Sequence, residues 1–215
     1  MIDPLAPLRT FWNQRYGEEA YAYGTAPNDF LVRCLQRLRT LQAPASVLCL
    51  ADGEGRNGVW LAEQGFVVTS VDVADEGLRK ARELAARKGV EIHTEQADVT
   101  TMDLGERRWD AIVSIFLHLP AADRRALHRR CVAALRPGGL LIFEAYAPEQ
   151  LALATGGPRD IELLPTLAAV EADFDGLAHI TIEHRFSGVR AVIEGSLHRG
   201  DGHVVQLIAR RLGAS

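Results

Sequence analysis

Residues 47–58 (Val-Leu-Cys-Leu-Ala-Asp-Gly-Glu-Gly-Arg-Asn-Gly) constrain the fold of this chain more than any other stretch. A short apolar run of strand type breaks into a glycine-rich turn, and a helix-forming segment follows from Val59 to Gln64. Glycines let the backbone approach a ligand closely, and a helix start offers unpaired N–H groups to an anionic group. One strand later, Asp72 ends the run Phe66-Val67-Val68-Thr69-Ser70-Val71. A carboxylate in that position can take both hydroxyls of a ribose, so the pair reads as a nucleoside-cofactor site. Gly53-Glu54-Gly55-Arg56-Asn57-Gly58 also satisfies the dinucleotide fingerprint. Three spaced glycines are a weak signal alone, so nicotinamide and S-adenosylmethionine both stay open here.

The rest of the chain alternates. Strands are expected at 47–51, 66–71, 90–95, 109–114 and 139–145, with helices near 57–64, 75–88 and 121–135. Before them, Asn28-Asp29 is a capping pair for a helix whose apolar positions are Phe30, Leu31, Cys34, Leu35 and Leu38. Such alternation implies βαβ crossovers and a mainly parallel sheet with helices on both faces. The ending differs: Ile180 to His184, Val189 to Leu197 and Val204 to Ala209 are β-type runs, with Arg199-Gly200-Asp201-Gly202 between the last two. They suggest an antiparallel hairpin closing the sheet. The expected class is therefore α/β, a doubly wound, Rossmann-like seven-stranded sheet with an antiparallel C-terminal hairpin. A dehydrogenase would usually need a further catalytic domain, and too little chain follows the cofactor half.

Size and charge narrow the partners. At 215 residues the chain suits one domain, here 1–215, with 1–40 as an N-terminal helical cap over the cofactor and 44–215 as the core. A net charge of −4 leaves no electrostatic footprint for nucleic acid. Cys34, Cys49 and Cys131 are odd in number and scattered, which favours reduced thiols in a cytoplasmic protein and supports no metal site. No basic segment followed by an apolar core opens the chain, and no apolar run approaches the ~20 residues of a membrane span. The expected partner is a small molecule, with the protein a monomer or homodimer.

The order of motifs resembles the class I S-adenosylmethionine-dependent methyltransferases over roughly residues 11–211. Leu48 to Gly55 looks like the first cofactor loop, contributing Ala51, Asp52, Gly53 and Gly55, with Asn57 just beyond. Asp72, followed by Val73, looks like the ribose acid. Gln96-Ala97-Asp98-Val99 looks like the segment whose Asp faces the adenine amino group. Trp109 to Ser114, continuing to Ile115, is similar to the fourth strand, and Leu135-Arg136-Pro137-Gly138-Gly139-Leu140 to the turn into the fifth. The wording Asp52 to Asn57 resembles a subgroup related to the tellurite-resistance methyltransferases. So does the N-terminal set Trp12, Arg15, Tyr16, Tyr23, Gly24, Pro27 and Asn28, which such proteins fold over the cofactor. Gly195-Ser196-Leu197-His198-Arg199 resembles the segment carrying that group's proposed acceptor-site His and Arg. Two positions depart from the pattern: Cys49 stands where most members have an acid, and Ala51 where they have glycine.

The resemblance implies methyl transfer from S-adenosylmethionine to a small acceptor, a soft nucleophile such as a chalcogen oxyanion or a thiol. Aromatic faces suit a sulfonium charge, and Tyr16, Tyr21 and Phe116 are candidates. His198 as base and Arg199 as oxyanion clamp are the candidate catalytic pair. Strand neighbours point to opposite faces, so both reach one pocket only if the hairpin twists or bulges. His118 follows the fourth strand at the carboxyl edge and is the third catalytic candidate. Two alternatives remain: a module that binds the nucleoside cofactor without catalysis, and a nicotinamide-dependent oxidoreductase.

Overall fold

The computed structural model describes residues 5–195 and 198–213; the side chain of His198 lies outside the described set. Seven strands form one sheet in the order β3-β2-β1-β4-β5-β7-β6. β1 (Ser46–Leu50), β2 (Val67–Asp72), β3 (His93–Gln96), β4 (Trp109–Ile115) and β5 (Leu135–Tyr146) pair in parallel. β7 (His198–Arg211) runs antiparallel between β5 and β6 (Ile180–Glu194). This is the doubly wound sheet with a closing hairpin that the alternation of elements implies.

Helices cover both faces because successive strand residues point to opposite sides. On one face Leu48, Leu50, Ile112, Leu141 and Phe143 pack with Leu127 and Cys131 of α5 (Ala121–Ala134) and Val170 of α7 (Leu167–Ala172). On the other, Val47, Cys49, Ala111, Val113 and Ile142 meet Phe30, Leu31, Cys34 and Leu38 of α2 (Asp29–Leu38) and Leu61 of α3 (Arg56–Glu63). Burial on both sides explains why β1 and β4 read as continuous apolar runs. Cys49 is 1% exposed within this core, and burial pushes its thiol well above the ordinary range. α4 (Asp75–Lys88) carries Asp75 and Glu76 in its first turn and Arg87 and Lys88 in its last, matching its dipole.

Among the described residues of the 1–40 segment, α1 (Ala6–Tyr16), its cap Leu5 and the loop after it border the cavity described below, whereas α2 belongs to the sheet's own core. The hairpin turn also moves. Arg199 to Gly202 lie inside β7, paired with residues of β6, and the chain reverses beyond Glu194, where Gly195 takes a φ of 65°. A Gly-x-Gly pattern reads as a turn from sequence, yet here Gly202 takes Val192 and Tyr146 against its open Cα. Between β5 and β6 the sequence marks no element, but α6 (Gln150–Leu153), a 3-10 turn at Ile161–Leu163 and α7 occur there. Elements this short carry too few residues for a period to show.

One buried residue ties these parts together. Asn28 is 0% exposed, and its Oδ1 caps α2 by accepting from Phe30 N and Leu31 N. Its Nδ2 donates to Glu144 of β5 and Glu194 of β6, both at 2.8 Å, and its backbone N–H donates to Asn57 at 2.9 Å. Asn28→Ala removes the cap and leaves two buried carboxylates short of a donor, so it should cost roughly 3–5 kcal/mol. Asn28→Asp keeps the cap but adds a third carboxylate, and should cost at least as much. Urea unfolding measures both; an Asn28→Asp loss under about 1 kcal/mol would refute the bridging role.

Candidate active site

In sheet order the chain leaves β1 toward β2 and β3 on one side and β4 toward β5 on the other, so β1 and β4 flank the topological switch point. Ligands of open α/β sheets bind at the carboxyl edge of such a point. A cavity of about 690 Å³ lies there. Of the expected cofactor residues, Arg15, Tyr16, Ala51, Asp52, Gly53, Asn57, Asp72, Val73, Ala97, Asp98, Val99 and Ile115 line it. Gly55 and Ser114 do not line it. Gly55 packs the loop on α4, where a Cβ would come within 2.5 Å of Ala81, and Ser114 is buried in β4.

The loop is held by carboxylates. Asp72 Oδ2 accepts from Gly53 N at 2.8 Å and Oδ1 from Ala74 N at 2.9 Å, fixing both oxygens at the cavity wall. Asp52 accepts from Ser70 Oγ at 2.6 Å and from Gly58 N at 3.2 Å. Gly58 is required for that approach, since a Cβ would fall 2.3 Å from Ser70 Oγ and 2.5 Å from Asp52 Oδ2. Asp52 thus anchors the loop from a different position than the acid missing at Cys49. Burial pushes its carboxyl up to about 7, against the Ser70 and Gly58 hydrogen bonds that lower it. Ala51 takes a φ of 50°, a left-handed conformation costly for a residue with a Cβ. Asp98 accepts from Thr100 N and from the Thr100 and Thr101 hydroxyls, so its carboxylate also organises the turn after β3.

At the β4 side an aromatic wall forms. Phe116 has a φ of 56°, rare for a bulky residue, while its N–H donates to Glu144 O at 2.7 Å. Its ring stacks on Tyr146 at 4.6 Å, and His118 stacks on Tyr146 at 5.9 Å. His118 lines the cavity as expected, and its Nε2 accepts the Tyr146 backbone N–H at 3.2 Å. A ring nitrogen accepting such a bond carries no proton and has its lone pair engaged. Arg199 is exposed and outside the cavity lining, and the His198 side chain is among those not described.

The N-terminal segment closes the mouth. Tyr16 sits between Gly53 and Gly77, each of which would clash with its ring or hydroxyl if it had a Cβ. Trp12 stacks on Tyr16 at 5.5 Å, and Arg15 donates to Tyr23 Oη at 2.9 Å while lying over Phe11 and Trp12. Tyr21 does not line the cavity; its hydroxyl donates to Lys80 O and its ring packs beneath Lys80 and Arg87. Sequence reasoning missed the cavity residues Glu54 and Arg56 as buried ion-pair partners of Lys80 and Glu194. It also missed Leu8, Leu119 and Leu163 in the lining. A charged residue inside a glycine-rich turn was the available signal for the first two.

Residues 47–139 match the family model described as a methyltransferase domain. Among curated proteins, the glycine/sarcosine N-methyltransferase of Halorhodospira halochloris is 33% identical over 121 residues, covering 54% of this chain and 44% of that protein. The chain thus spans less than half the length of that relative. Two solved structures share the fold. One comes from work on the conversion of a disulfide bond into a thioacetal group during echinomycin biosynthesis, with a TM-score of 0.75, 20% identity and coverage of 96% of this chain and 90% of that one. The other is TehB from Haemophilus influenzae, with a TM-score of 0.67, 16% identity and coverage of 94% and 66%. Residues 47–139 thus carry the likeness to a methyltransferase domain, and the solved structures share the Rossmann-like fold. Among the described residues no helix is long and apolar enough to cross a membrane.

Asp52 makes the loop pH-sensitive. In the folded protein its carboxyl holds a proton up to about pH 7, whereas the unfolded chain releases it near the ordinary value of 3.8. Between the two the folded state binds more protons, so this stabilisation is complete below the unfolded value and is lost as pH rises to 7. Asp52→Asn, which can donate to Ser70 and accept from Gly58, carries no such titration. Its stability relative to wild type should therefore rise by roughly 2–4 kcal/mol between pH 4 and pH 8 in denaturant unfolding. A pH-independent difference would exclude this account.

Proposed function

We propose that this chain transfers a methyl group from S-adenosylmethionine to a small-molecule acceptor, a soft nucleophile such as a thiol or a chalcogen oxyanion. The observation that carries the reading is Asp72. It ends β2 one strand from the glycine loop, with each oxygen oriented by a backbone N–H and the carboxylate at the cavity wall. That is a receptor for a vicinal diol. Asp98, at the end of β3, is the partner for the adenine amino group, and Arg15 and Tyr16 cover the bound nucleoside.

When bound, the sulfonium supplies a methyl carbon already activated by its leaving group. The acceptor's lone pair forms the new bond as the methyl–sulfur bond breaks, and the pair from that bond stays on the donor sulfur. The protein's task is to align the two and to exclude water, and orientation alone can supply ~7–11 kcal/mol. Phe116 and Tyr16 line the cavity and would offer ring faces to the cation, each worth ~0.5–2 kcal/mol to it. With its Nε2 held by Tyr146 N–H, His118 serves better as a fixed wall and Nδ1 donor than as a base. Soft nucleophiles fit that arrangement, because a thiol ionises near pH 8.5 and needs less help in losing its proton. The motif likeness to the tellurite-resistance group favours the same acceptors.

The same engagement of His118 favours a second reading, a module that binds the nucleoside without transferring a methyl. Calorimetric titration with S-adenosylmethionine, S-adenosylhomocysteine and NADH, followed by a methyl-transfer screen over thiols, selenite and tellurite, separates the possibilities. Micromolar binding of the first two with none of NADH is expected. Asp72→Asn should weaken binding of both about 100-fold, the loss of charge-assisted hydrogen bonds. Binding of NADH alone would overturn the proposal, and tight donor binding with no transfer to any acceptor would favour the second reading.

A further inference from the structure

Resting on the methyl-transfer reading and choosing between its two acceptor classes, we propose that the acceptor is a molecule with an apolar body that carries no anionic group, so that of the thiol and the oxyanion the field of the cavity excludes the oxyanion. Two independent features of the lining point there.

The first is charge. Asp52, Asp72, Asp98 and Asp123 all line the cavity, and none has an ion-pair partner among the described residues. Glu54 also lines it but is neutralised by Lys80 at 2.6 Å. Against these stand two cations. Arg15 lies over the Phe11 and Trp12 rings with its Nη1 on Tyr23 Oη. Arg56 has its charge matched by Glu194 at 2.7 Å, and its other terminal nitrogen, Nη1, is buried and so presents no surface to a ligand. Even with Asp52 protonated, the unpaired carboxylates outnumber Arg15. A sulfonium donor, which brings a net positive charge of one, suits such a site; an added anion meets repulsion in a partly desolvated space. Among the described residues no further cation lines the cavity to clamp an oxyanion, and Arg199 lies outside the lining.

The second feature is the apolar end. The cavity runs along the strand edges from Asp98 after β3 to Pro158 and Leu163 after β5, several strand spacings of ~4.8 Å. The nucleoside receptor occupies the β3–β2–β1 side. Beside the Phe116–His118–Tyr146 rings, the lining is mostly apolar: Leu117, Leu119, Pro120, Pro158 and Leu163, with Leu8 and Phe11 of α1, and Asp123 as the one charged group among them. Leu8 and Phe11 keep 47% and 48% of their surface exposed, which is apolar area left for a ligand to cover. The segment carrying Pro158 is pressed on the ring wall, since a Cβ at Gly157 would fall 2.6 Å from the Tyr146 ring. Leu163 lines the cavity from outside both the glycine loop and the ring wall, so its substitution tests this end alone.

The test is binding to the full chain saturated with S-adenosylhomocysteine, read by calorimetry with three probes of one body: 1-octanol, octylamine and octanoate. Octanol should bind tightest. Octylammonium should follow, and octanoate should be weaker than octylammonium by at least tenfold. A purely apolar chamber would penalise both ions alike, so equal affinities for amine and carboxylate overturn the charge argument. Tighter binding of octanoate, or no binding of octanol, overturns the proposal entirely. Leu163→Ala should weaken octanol about tenfold with no change for S-adenosylhomocysteine, and Leu163→Arg should reverse the preference toward octanoate. Failure of the underlying function shows separately, as absence of S-adenosylhomocysteine binding in the first titration; the three probes are then ranked on the protein alone.

Discussion

The architecture of this site depends on a buried, charge-balanced cluster that joins five segments. Arg56 opens α3, Glu144 lies in β5, Glu194 and Arg190 in β6 and Gln206 in β7. Arg56 pairs with Glu194; Arg190 contacts both Glu144 and Glu194; Gln206 donates to Glu144; and Asn28 donates to both carboxylates. Two cations face two anions, so the cluster contributes little net stability over an apolar packing of the same shape. Its effect is on specificity. Each side chain loses its partner if the hairpin slips by a residue, because a one-residue shift turns Glu194 to the other face. The antiparallel closure is thereby locked in register to the cofactor loop, and the position of the loop follows from a hairpin far away in sequence.

That distance explains which parts of the site were legible. The glycine loop, Asp72 and Asp98 are each local: a strand ends, a turn follows, and the acid stands at a fixed offset from both. Periodicity places them at one sheet edge without knowledge of anything else. The cluster has no local signature, since Arg56 and Glu194 are 138 residues apart and Asn28 and Glu144 are 116 apart. Asn28 was readable as a cap and was one, but its second role in bridging two carboxylates depends on tertiary placement alone. The hairpin shows the opposite failure. Gly200 and Gly202 look like turn residues, yet they sit in β7 opposite Val192 and Arg190, and close packing of Tyr146 and Val192 accounts for the glycine at 202.

The departures at 49 and 51 gain a physical meaning from the same geometry. An acid at 49 would point into the core formed with α2, among Phe30, Leu31 and Val113, where ionisation is costly. With Cys49 there, the loop's anchor is moved to Asp52, which reaches Ser70 and Gly58 instead. Burial pushes this anchor's carboxyl up to about 7, so the loop carries less negative charge at neutral pH than an ordinary aspartate would give it. Asp72, whose two oxygens are held by Gly53 N–H and Ala74 N–H, is then the neighbouring fixed carboxylate at the cavity wall.

Ala51 and Phe116 directly follow the neighbouring strands β1 and β4, and both take left-handed backbone conformations on the two sides of the switch point. Strain of this kind persists only where surrounding contacts over-determine it. For Phe116 those contacts are visible: its N–H is bonded to Glu144 O, and its ring is stacked on Tyr146. Glu144 is in turn fixed by the buried cluster. A relaxed, extended Phe116 would swing the ring out of the stack and open the wall between the nucleoside end and the apolar end. The strain at β4 is therefore coupled through Glu144 to the hairpin, and the ring wall of the cavity is held by residues that lie outside its lining.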